Sequence, residues 1–202
     1  MLRFSSGLLG AICLAMAAAA QDIDMTALEA DIDARSSQYD QLIGILQGTD
    51  ANRSLAAFDA MVETGNPTMI EVAVNTGLMA TDSRLRARAL WEALSRKDAI
   101  TITVDTSGLT QEEKTSLNEW RGAVQTFPAY QRFPETQCIN LRGLSTCNQS
   151  NSVNVSGVHV DIIYSSTADL AGQFTLDESG KLSGRVMNDR TKDVYPATIE
   201  FR

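Results

Sequence analysis

Between residues 50 and 97 the apolar positions recur in three rows of sixteen: DANRSLAAFDAMVETG, NPTMIEVAVNTGLMAT and DSRLRARALWEALSRK. Each row opens on a residue whose side-chain oxygen can accept from the free amides of a first helical turn: Asp50, Asn66 and Asp82. Pro67 stands at a first helical position, where its missing N–H costs nothing, and Gly65 and Gly77 stand where helices commonly stop. The eighth position is alanine in every row (Ala57, Ala73, Ala89). The ninth is a larger apolar residue (Phe58, Val74, Leu90) and the thirteenth is aliphatic (Val62, Leu78, Leu94). Positions nine and thirteen are one turn apart and share a face, and the alanine beside them lets helices approach closely. The pattern predicts three short helices joined as antiparallel hairpins.

Upstream, Met25, Leu28, Ile32, Tyr39, Leu42 and Leu46 step by threes and fours over residues 22–47, a heptad-like stripe. Arg35 interrupts that seam and Gly44 weakens its last turns. Packing against the repeat is therefore expected ahead of self-association. After Asp98 the rhythm changes: AITITVD alternates like a strand, and Thr110 with Glu113 offers a capping box for a short helix that ends near Gly122. From Val153 onward the pattern predicts a four-stranded antiparallel meander. Val158, Val160, Ile162 and Tyr164 line one face, His159, Asp161 and Ile163 the other, and DESG forms a turn. The stretch from Thr126 to Ser152 reads as a long connector that needs tying down.

The rows with their caps resemble a short array of HEAT-like helical repeats over residues 50–97. That resemblance implies stacked helix pairs and a curved surface used for binding. The expected architecture is α+β: N-terminal helical hairpins with HEAT-like stacking, then an antiparallel β module stapled by a disulfide. The organisation expected is a leader over residues 1–20, a helical domain over 21–98 and a mixed, mainly antiparallel β domain over 99–202.

The leader follows from MLRFSSGLLGAICLAMAAAA, in which one cation precedes a short apolar run that ends in small residues. This is the pattern of a secretory signal peptide cleaved after Ala20, and it predicts an exported protein, periplasmic or extracellular, with no membrane insertion after cleavage. Cys13 leaves with it. The two remaining cysteines, Cys138 and Cys147, are an even count in an oxidising compartment and predict a structural disulfide. Their spacing is not C-x-x-C, which argues against a redox pair. With one histidine in the chain, a metal site would have to recruit carboxylates. Without Arg3, 16 basic and 25 acidic residues leave a formal charge of −9, a poor match for nucleic-acid phosphates. Asn52, Asn148 and Asn154 begin N-x-S triplets, which matter only where exported chains are glycosylated.

Motif chemistry is sparse. The sequence has no H-E-x-x-H, P-loop, G-x-G-x-x-G or G-x-S-x-G. His159 and Asp161 share a strand face but are too far apart in that geometry for a hydrolytic triad. No catalytic residue, cofactor or metal ligand is assigned. Two groups are candidates for contacting a partner. Arg84, Arg88 and Arg96 form a basic stripe at helical spacing in an otherwise acidic chain, which reads first as a solvated face paired with nearby carboxylates and second as a docking site for an anionic group or partner. Phe127, Tyr130 and Phe133 form a recognition patch if exposed and a sheet cover if buried. The reading is an exported interaction or scaffold protein that binds a protein partner or an envelope component. Its rival is a secreted hydrolase or carbohydrate-active enzyme whose dispersed carboxylates converge only on folding.

Overall fold

The computed structural model describes residues 24–147, 150–166 and 169–200, so the leader and cleavage site expected from the sequence, Cys13 and Asn148 lie outside the described residues. The chain divides into two compact units, Met1–Ser37 and Gln38–Arg202. Helix α1 (Met25–Leu46) begins in the first and ends in the second. Asp24 caps it by accepting from the amides of Thr26 and Ala27.

The second unit starts with the three predicted helices, α2 (Ala51–Glu63), α3 (Pro67–Leu78) and α4 (Ser83–Ser95). All three caps are made as expected: Asp50, Asn66 and Asp82 each accept from two first-turn amides at 3.0–3.2 Å. The shared face also forms, with Phe58, Ala73, Leu78, Ala89, Leu90 and Leu94 all buried. Gly65 ends its helix in the left-handed region at φ 67°. Gly77 differs, because it lies inside α3 and its role is close packing. A Cβ there would stand 2.8 Å from Ala89 Cβ and 3.2 Å from the Phe58 ring. The end of α1 joins this cluster through buried Leu46 and part-buried Leu42, and Ser54 Oγ donates to the carbonyl of Ile45 at 2.8 Å.

Nine antiparallel strands follow: β1 (Ala99–Val104), β2 (Val124–Pro128), β3 (Gln131–Phe133), β4 (Cys138–Asn140), β5 (Asn151–Ser156), β6 (His159–Tyr164), β7 (Leu170–Leu176), β8 (Leu182–Asn188) and β9 (Val194–Glu200). Helix α5 (Gln111–Trp120), held by the Thr110–Glu113 capping box, connects β1 to β2. The sheet order is β2-β1-β9-β8-β7-β6-β5-β4-β3. Laid flat at about 4.8 Å per strand, nine strands would set the two edges about 38 Å apart. Only Ala129 and Tyr130 join edge strand β2 to edge strand β3, and such a link spans at most about 11 Å. The sheet is therefore curled so that its edges approach each other.

Two rows of side chains run across the buried face. In one, Val153, Ile162, Gly172, Val186 and Tyr195 are register neighbours. In the other the sequence is Val155, Val160, Phe174, Gly184, Ala197 and Val104. The Phe174 ring fits because its neighbours are small. A Cβ at Gly172 would stand 2.9 Å from that ring, and one at Gly184 would collide with the backbone of Gln173 and Phe174.

Two expectations are corrected. From Val153 onward the meander has five strands, because β5 turns into β6 at Gly157, whose φ of 62° suits a tight hairpin, and β3 and β4 extend it to seven. The supposed connector over 126–152 contains part of β2, all of β3 and β4, which form one edge of the sheet, and the start of β5. Three-residue strands bounded by proline and polar residues carry too little alternation to be seen in sequence.

Helices and sheet share one hydrophobic cluster, from Leu46 and Phe58 through Trp91 to Ile199. Two arginines tie the layers. Arg86 Nη2 donates to the carbonyls of Leu176 and Asp177 at 2.7 and 2.6 Å. Arg132, on β3, donates to the carbonyls of Ser95 and Lys97 at the end of α4 and to Ala129. A cation placed over the last carbonyls of a helix satisfies acceptors that have no partner within it.

Candidate functional site

The basic stripe on α4 is built as an ion-pair network. Arg88 Nε lies 2.9 Å from Asp59 Oδ1 on α2, and its Nη1 lies 3.5 Å from Glu92 Oε1. Arg96 Nε lies 3.0 Å from Glu92 Oε2. Glu92 is only 8% exposed, so one nearly buried carboxylate pairs with guanidinium groups at i−4 and i+4, accepting a hydrogen bond from Arg96. Arg84 is shared between Asp82 Oδ1 at 3.6 Å and Asn52 Oδ1 at 3.3 Å. The basic stripe is thus a helix face paired with nearby carboxylates, supplied by Asp59 of α2, by Glu92 of α4 and by the cap Asp82.

The three aromatics separate. Phe127 is buried on β2, Phe133 is half-buried, and Tyr130 is 60% exposed in the link that joins the sheet edges. Alternation along β2 sends Gln125 and Phe127 inward, and the link then turns Tyr130 out.

Phe127 belongs to a cluster not anticipated from sequence. Its ring meets that of Tyr164, from β6, with centroids 4.9 Å apart, and Arg121, one residue past α5, lies 5.4 and 5.1 Å from the two ring centres. Arg121 Nη2 donates to Ser166 Oγ at 2.9 Å. Burial pushes the Arg121 pKa below its usual value, while Tyr164 and Asp169 act against that shift. Trp120, Arg121, Val124, Gln125, Thr126, Tyr164 and Ser166 line a cleft of about 460 Å³. Two covered atoms belonging to this lining, Trp120 Nε1 and Gln125 Oε1, make no hydrogen bond. The cluster depends on the curl that brings β2 to β6, strands separated by four others in the sheet order, which no local pattern records.

Cys138 and Cys147 are paired at bonding distance with Cα atoms 6.2 Å apart, within the range a disulfide spans. Cys138 is buried at the start of β4. The loop they close is held a second time by Asn140, which is fully buried. Its Oδ1 accepts from the amides of Arg142 and Leu144, and its Nδ2 donates to the Thr146 carbonyl. Arg142 extends from this loop to lie 5.4 Å from the Tyr164 ring centre, so the disulfide loop packs onto the arginine–aromatic cluster.

His159 is exposed on β6, and its Nδ1 is 3.0 Å from Thr175 Oγ1 on the neighbouring strand. Asp161 lies opposite Asn154 and Gln173 in the register, so the histidine's partner is a cross-strand hydroxyl.

The most accessible apolar surface is at the start of α1. Met25 is 60% exposed, Leu28 41% and Ile32 55%, and every residue from 24 to 37 is exposed. The stripe read as a core face behaves as one only from Tyr39 onward, with Leu46 at 1% exposure. No described helix is long and apolar enough to cross a membrane. Comparison with known proteins finds no matching protein family, curated protein or solved structure.

Proposed function

We propose that this is an exported, soluble interaction protein that works by binding a protein partner, with the first three turns of α1 as its contact element. One observation carries the reading: Met25, Leu28 and Ile32 form a helical apolar stripe left in solvent, on the same helix whose far end is locked into a core by Leu46. Exposing a contiguous apolar face costs solubility and stabilises nothing in the free chain, so its natural role is to be covered by something else. The folded unit Gln38–Arg202 supplies the anchor and the disulfide suits an oxidising compartment.

The test compares wild-type chain with Ile32→Asp as bait in the exported fraction of the source cells. The reading expects a protein retained by the wild type and lost with the variant, while both chains melt alike. Turnover of a glycan or peptide panel by the wild type, with no protein retained, would replace it with the hydrolytic alternative.

A further inference from the structure

Resting on that reading, we infer that the partner presents a cationic amphipathic helix, which packs its apolar face on Met25, Leu28 and Ile32 and places lysines or arginines against the carboxylates on either side. In heptad terms Met25 and Ile32 are a positions and Leu28 is a d position. Asp24 and Asp31 then flank the stripe at g, and Glu29 flanks it at e. Asp33 adds a fourth carboxylate within residues 24–37. The one cation in that stretch, Arg35, sits on the seam itself and is held by Asp31 at 2.9 Å within its own helix. The stripe is thus apolar along its centre and negative along both margins.

That arrangement decides among occupants. A second copy in parallel would set Asp24 of one helix against Glu29 of the other, and an antiparallel copy would bring the acidic g margins together. Like charges across a coiled-coil seam oppose pairing. The homomeric seam is short as well, because its continuation through Leu42 and Leu46 is packed in the chain's own core. An anionic lipid surface meets the same repulsion and finds none of the basic flanks with which interfacial helices bind. A helix with apolar a and d positions and basic e and g positions satisfies both the stripe and its margins.

The experiment uses the mature full-length chain and two synthetic helices of about 21 residues, three heptads. Both carry leucine at a and d; one has lysine at e and g, the other glutamate. Fluorescence anisotropy should show the lysine helix binding at least about tenfold more tightly than the glutamate helix, and weakening as salt rises. Ile32→Asp and Leu28→Asp should each weaken the lysine helix by about tenfold or more although they add negative charge, with the melting temperature unchanged. The double change Glu29→Lys with Asp31→Lys should reverse the preference. If both peptides bind equally and Ile32→Asp abolishes both, the docking face stands and the cationic partner falls. If neither binds, or if Ile32→Asp leaves lysine-helix binding intact, the docking face falls as well. A wild-type dimer in sedimentation that Ile32→Asp converts to monomer, or adsorption to vesicles of anionic phospholipid, would also overturn the inference.

Discussion

At the scale of single residues, the helix caps make the most readable contributions. Asp82 accepts from Leu85 N and Arg84 N, and its pKa is lowered mainly by the Leu85 amide, with burial opposing and Arg84 assisting. Asp82→Ala should cost about 1 kcal/mol in denaturant unfolding. A folded pKa held below the unfolded value gives stability that is complete above about pH 4 and is lost as pH falls through the lowered value. An asparagine side chain in the same place would cap without titrating. Asp82→Asn should therefore match the wild type near neutrality and lose less stability on acidification, as urea titrations at successive pH values would record. Gly184 tests packing in the same way. Its missing Cβ would meet the backbone of Gln173 and Phe174, which cannot swing aside as a side-chain tip can. Gly184→Ala should cost about 3 kcal/mol or more, at the upper end of overpacking, and thermal unfolding would reveal a smaller loss as an error in the register described.

At the scale of elements, the disulfide loop has two fasteners. Replacing Cys138 and Cys147 together by serine should cost about 2–3 kcal/mol. The loop should nevertheless keep its shape, because Asn140 still gathers the amides of Arg142 and Leu144 and the Thr146 carbonyl. In Asn140→Ala those buried groups lose their partner, at about 1–3 kcal/mol. Amide exchange at Arg142 and Leu144 should thus rise more in Asn140→Ala than in the double serine variant, and the reverse order would demote the asparagine. Legibility in the sequence follows the same division between near and far partners. The caps at Asp50, Asn66 and Asp82, the Thr110–Glu113 box and the alternation of β1 and β6 are readable, because each pairs groups a few residues apart. The carboxylate of Asp59 beside Arg88, the Phe127–Tyr164 contact and strands β3 and β4 are not. Each gets its partner from a distant part of the chain, and β3 and β4 are too short to show a period. The exposed stripe on α1 is visible as a pattern, but burial along a helix is decided by what packs there, so the pattern does not say where the core face ends.

At the scale of the whole unit Gln38–Arg202, one hydrophobic cluster and two arginine clasps join helices to sheet. Arg86→Met removes both charge-assisted bonds to the Leu176 and Asp177 carbonyls and should cost about 1.5–3 kcal/mol. Because the core is shared, the loss should lower a single calorimetric transition with a matching van't Hoff enthalpy. Separate melting of helices and strands in this variant would show that the clasps join two independent cores.

Strand β9 lies between β1 and β8, and this placement governs the order of events at synthesis. The hairpin of β1 with β2 can form early, but its only other neighbour is made nearly a hundred residues later: Thr101 pairs with Glu200 and Val104 with Ala197. Until those residues leave the ribosome the sheet is open on both sides of the gap, and contacts of such sequence separation are slow to close. A sheet of this topology is complete only once the last strand has been made, so β1 and β8 each keep an unpaired edge until the end of synthesis.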